Sequence, residues 1–93
     1  MSVTAKSVST TATLLFTVRV DERPTVIVDN QGDYVVFIGD EATVTASSGV
    51  ALEPEDVMQW DFSDVTHLRS VSFSVYGITS SGTSSVRVMV SYL

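Results

Sequence analysis

His67 is the only histidine in the chain. With Ser63 and Asp64 beside it, the stretch holds the residue types of a Ser-His-Asp hydrolase. That chemistry needs a nucleophile presented on a strained turn and donors aimed at the developing oxyanion. The Gly-x-Ser-x-Gly elbow and a glycine-rich oxyanion loop are both missing, so His67 reads as a surface or cap residue. A second constellation is acidic: Glu53, Glu55, Asp56, Asp61 and Asp64. Paired carboxylates hydrolyse glycosides only across a deep cleft, and a domain of this size has little room for one. Calcium asks for about six to eight oxygens, and no Asp-x-Asp-x-Asp-Gly run supplies them. The cluster therefore reads as a solvated acidic face. Tyr34, Tyr76 and Tyr92 can form a sugar-stacking platform, but single tyrosines on strands more often line a rim or an interface. Gly32, Gly39, Gly49, Gly77 and Gly82 are spaced as turn residues, not as a phosphate loop. No catalytic, cofactor-binding or metal-ligating residue is assigned, no cofactor is expected, and the chain is not expected to be an enzyme.

The positions that remain must do their work through the fold that carries them. The chain has 93 residues and no cysteine, so a single domain without disulfide staples is expected, marginally stable unless well packed or partnered. Its formal charge is -6. Lys6, Arg19, Arg23, Arg69 and Arg87 are scattered singly, which excludes the basic stripe of a nucleic-acid binder. The longest apolar run, Tyr34-Val35-Val36-Phe37-Ile38, is too short to span a bilayer. The stretch MSVTAKSVSTTAT lacks the apolar segment of a secretory signal. A soluble product made in a cytoplasm is expected, with no nucleic acid or membrane as partner.

Residues 1–12 are Ser, Thr, Ala and Val with one Lys, and read as a polar arm, flexible or extended along a neighbour. Residues 13–93 read as one β domain. In TLLFTVRV, Leu14, Phe16, Val18 and Val20 fall on one face, the period of a half-buried strand. Thr25–Asp29 is a second strand. Asn30-Gln31-Gly32-Asp33 is a turn in which Gly32 is expected at positive φ. Tyr34–Ile38 reads as a central strand covered on both faces, and Thr43–Ala46 as a short strand. Ser47-Ser48-Gly49 is a turn, with Val50 and Leu52 anchoring a loop. Met58, Trp60 and Phe62 alternate on one strand face, and Trp60 is expected to be substantially buried. Residues 63–69 are a helical turn or an irregular link. Val71, Phe73 and Val75 share a face, Thr79–Thr83 is a turn, and Val86, Val88, Val90 and Tyr92 share the face of the last strand. The pattern predicts an all-β fold: a small antiparallel β-sandwich or jelly-roll-like barrel of about six to eight strands.

Residues 23–56 and 76–90 carry a further pattern. Arg23 precedes a strand ending at Asn30, followed by the Gly32-Asp33 turn. A strand ending at Gly39 comes next, then Val44-Thr45, Gly49, Leu52 and Pro54. Ser81-Gly82-Thr83 then precedes Val86-Arg87-Val88. This order resembles small β domains of tailed-phage virion structural proteins, of the head-decoration and head-fibre type. The segment from Met58 to Val75 is longer than in that pattern, and the N-terminal arm has no counterpart in it. The resemblance implies a non-enzymatic component of a bacteriophage particle, located in the virion, whose surface is its function. A capsid decoration or head-fibre attachment protein is the leading expectation. A tail or baseplate component, or a carbohydrate- or receptor-binding β module, is the alternative. The expected partners are further copies of the chain, a trimer before a dimer, and the major capsid protein or another virion protein.

Overall fold

The computed structural model describes residues 2–63 and 72–92. Among these residues, eight strands form two four-stranded antiparallel sheets packed face to face as a small β-sandwich. The first sheet runs in the order β1 (Ser2–Val8), β8 (Ser84–Tyr92), β3 (Pro24–Asn30), β6 (Val57–Asp61). The second runs β2 (Thr13–Arg19), β7 (Ser72–Ile78), β4 (Val36–Gly39), β5 (Val50–Leu52).

Alternation decides which side chains enter the core. In the first sheet the register aligns Val88 with Val28 and Met58, and Val90 with Val26 and Trp60. These rows point inward, and Val26, Val28, Val86 and Val88 are buried. The second sheet answers with Leu15, Phe16, Val18, Val36, Ile38, Leu52 and Val75. Phe16 meets the ring of Trp60 edge-on at 5.2 Å, and Phe62 meets Phe73 at 5.5 Å. Such edge-to-face pairs add about 0.5–1.5 kcal/mol beyond their buried area. Trp60 is half-buried, less than its alternation predicts.

Several local expectations change. Residues 2–8, taken as part of a polar arm, are strand β1, paired with β8 over its whole length from Ser2–Val90 to Val8–Ser84. Val8 is fully buried. The ladder supplies what the side chains lack, since a strand of Ser, Thr and Ala gains order from backbone hydrogen bonds rather than from apolar burial. In β2 a bulge between Leu14 and Phe16 turns Leu15 and Phe16 both inward. Leu14 is expelled to the outer face, where it is 42% exposed, because a bulge inserts one residue and resets the alternation. Val20 leaves the strand for a single 3-10 turn, Val20–Glu22, closed by Arg23 in the left-handed region at φ 55°. β4 alternates buried with half-buried residues, so it is covered on its inner face and only half covered on its outer one. Residues 43–46 form no strand; β5 lies further on, at Val50–Leu52. Val50 shares the inner side with its partner Ile38 yet is 61% exposed, so only Leu52 acts as an anchor. Tyr92, expected on the inner face of the last strand, is exposed.

Gly32 is also used differently. Its φ is not positive; among the glycines only Gly82 has a positive φ, at 73°. Gly32 is required by space: a Cβ there would run into Ser84 Oγ and lie 2.6 Å from the Ser85 nitrogen.

Candidate interaction edges and the buried node

The candidate chemical groups are described only in part. His67 and Asp64 lie outside the described residues. Among the described residues no group of three His, Cys, Asp or Glu side chains could hold a metal. Glu53, Glu55, Asp56 and Asp61 are all exposed. Asp61 has a structural task at the end of β6. Its carboxylate accepts from the Ser63 backbone N–H at 2.9 Å and from Thr25 Oγ1 at 3.2 Å. Hydrogen bonds from Ser63, side chain first and then backbone, hold its pKa below the ordinary value, because they favour the charged form.

The three tyrosines are dispersed. Tyr34 lies in the turn after β3, against Gly82. Tyr92 pairs with Pro24 at the opposite end of the first sheet. Tyr76 sits on the outer face of the second sheet beside Leu14. They make no common platform.

The polar residue that the structure does single out is Asn30, which the sequence marks only as a turn residue. It is fully buried at the end of β3. Its Nδ2 donates to the carbonyls of Tyr34 at 2.8 Å and Leu52 at 2.9 Å. Its Oδ1 accepts from Gly32 N at 3.1 Å and Ser84 Oγ at 2.7 Å. Its backbone N–H donates to the Asp56 carbonyl and its carbonyl accepts from Glu55 N–H. One side chain thus ties the β3–β4 turn, β5 in the other sheet and the start of β8. Every polar valence is satisfied, which is what makes a buried amide tolerable. This is a structural node, sealed from solvent. It gathers Asn30, Gly32 and Leu52 from the pattern described above.

Hollows open on the surface among the described residues. One, of about 450 Å³, lies in the loop after β4 and is lined by Asp40, Glu41, Thr43, Thr45 and Ser48. The loop's hydroxyls are engaged with one another: Ser48 Oγ accepts from Thr45 N at 2.9 Å, and Thr43 donates to Glu41 at 3.2 Å. Another, of about 330 Å³, opens between the sheets along β6, with Ile38, Val50, Met58, Trp60 and Phe73 as walls and Asp40 and Ser48 at its rim.

The sheet edges differ in how they are guarded. An edge strand offers unpaired N–H and C=O groups, and native proteins blunt it by shortness, bulges, charge or cover. In the second sheet β2 is bulged and β5 has three residues. In the first sheet neither device is present. β1 is seven residues long and pairs in continuous register. β6 has five and is equally regular. Comparison of the chain with family models, with curated proteins and with solved structures finds no match.

Proposed function

We propose that this chain is a non-enzymatic structural subunit of a bacteriophage particle, most simply a capsid decoration or head-fibre attachment protein. It acts by associating with its own copies and with the shell. The observation that carries this reading is that both edges of the first sheet are regular, without bulge or truncation, while both edges of the second are blunted by a bulge or by shortness. A small domain with no staples gains stability when such edges are covered by a partner. The resemblance to tailed-phage β domains supplies the setting. The formal net charge of -6 favours a shell partner presenting basic groups. Quantitative mass spectrometry of gradient-purified particles tests this: the chain should be present in a fixed ratio to the major capsid protein. Its absence from particles, with the chain abundant in the lysate, refutes the reading.

A further inference from the structure

The two regular edges belong to one sheet, and this constrains what they can do. Every neighbouring pair in the order β1-β8-β3-β6 is antiparallel. Along the sheet the strand directions therefore alternate, and β1 runs opposite to β6. A second copy placed beside the first in the same orientation sets its β6 antiparallel to β1, and the sheet continues without a break in pattern. We propose that copies of this chain join head to tail through β1 of one subunit and β6 of the next. This inference rests on the self-association reading above and specifies its partner and register.

Three observations support that pairing. The first is coverage. On β1 the sandwich-facing residues Ser2 and Thr4 are exposed, so the strand overhangs the second sheet. On the other side the hollow along β6 leaves Met58 and Trp60 half-buried and Val50 exposed. The overhang of one subunit meets the open side of the next. The second is charge. β1 carries Lys6 and no acid, on a molecule of charge -6, whereas β6 follows Asp56, ends at Asp61, and has Asp40 lining its hollow. Lys6 points inward, as its row with Val86 requires, and an inward lysine discourages indiscriminate edge pairing. The third is side-chain content. On β1 the exposed residues are Ser, Thr and Ala with Val3 as the one large apolar side chain, so a β1–β1 pair has less to bury than a pair with β6, which offers Val57, Met58 and Trp60 as cross-strand partners.

The register follows from two conditions. Inward residues must meet inward residues, since a one-residue slip reverses the faces. The seven residues of β1 must also centre on the five of β6. Together these set Ala5 opposite Gln59, with Thr4 opposite Trp60, Lys6 opposite Met58 and Val3 opposite Asp61. The interface is heterologous, so it generates rings or open arrays rather than two-fold dimers.

The chain has no cysteine, so engineered cysteines report cleanly. Ala5 and Gln59 are both exposed and lie on outer faces. Directly opposed strand residues fall within disulfide reach. Under mild oxidation a mixture of Ala5→Cys and Gln59→Cys proteins should cross-link at least tenfold faster than either alone. The double variant Ala5→Cys/Gln59→Cys should yield covalent species larger than a dimer. Lys6→Glu should abolish the mixed cross-link while its thermal melting stays that of the parent, which separates lost pairing from lost folding. Equal or faster cross-linking of Ala5→Cys alone would overturn the inference in favour of a two-fold β1 pair. No cross-link in any combination would overturn it outright. Neither result touches the presence of the chain in particles, which is measured separately.

Discussion

Replacing Asn30 by Ala should be among the most damaging single changes in this domain that removes no apolar group. The side chain is fully buried and makes four hydrogen bonds, two donated and two accepted, all between 2.7 and 3.1 Å. At a net value of about 1 kcal/mol each the loss is about 4 kcal/mol. Ser84, itself buried, is left needing a new acceptor. A chain of this length has a total stability of roughly 5–14 kcal/mol, so Asn30→Ala consumes more than about a quarter of it. Urea unfolding followed by far-UV circular dichroism should show a lower midpoint with an unchanged slope. Asn30→Asp sharpens the test. It sets carboxylate oxygen against the Tyr34 and Leu52 carbonyls, so the folded state favours the protonated acid and raises its pKa. Its stability should then be highest at low pH and fall as the pH rises through the raised value. A loss of less than about 1 kcal/mol for Asn30→Ala would refute the view that this node joins the sheets.

Three further outcomes are expected. Gly82→Ala should destabilise by about 1–3 kcal/mol, because φ is 73° and the new Cβ would enter the Tyr34 ring; adding Tyr34→Ala should relieve the clash but not the strained backbone, so partial recovery in thermal melts is the signature. Trp60→Ala should cost about 2–3 kcal/mol, below the value for a fully buried tryptophan, since the ring is half-buried and held by Phe16; an unchanged melt would place Trp60 outside the core. For Asp61→Asn the sign is set by the depressed carboxyl pKa: the parent's advantage is present above the ordinary carboxylate value and disappears as pH falls through the depressed one, and melts of both proteins across that range read it directly.

The strand cores were legible because valines at alternate positions have few other uses. The rows containing Val26, Val28, Val86 and Val88 lie where their period puts them. The bulge at Leu15 was not legible, since Leu14, Phe16 and Val18 already alternate and the insertion is set by pairing with β7. β1 is not legible for the opposite reason: the apolar residues of Ser2–Val8 do not alternate, and its order comes from backbone bonding to β8, a partner some eighty residues away. The turn residues were recognised by type but not by role. Gly32 serves close approach rather than positive φ, and Asn30 bonds across two sheets. Both depend on contacts far apart in the chain, which local propensity does not encode. The regular edges are likewise a property of sheet order, and strand order cannot be read from alternation alone.

Sedimentation velocity of the purified protein across the micromolar range tests most directly whether this domain functions through association of its own copies. Species heavier than the 10.0 kDa chain should grow with concentration, accompanied by a blue shift of the single tryptophan's emission as Trp60 is covered. A single species of 10.0 kDa at every concentration, with unchanging emission, would contradict it.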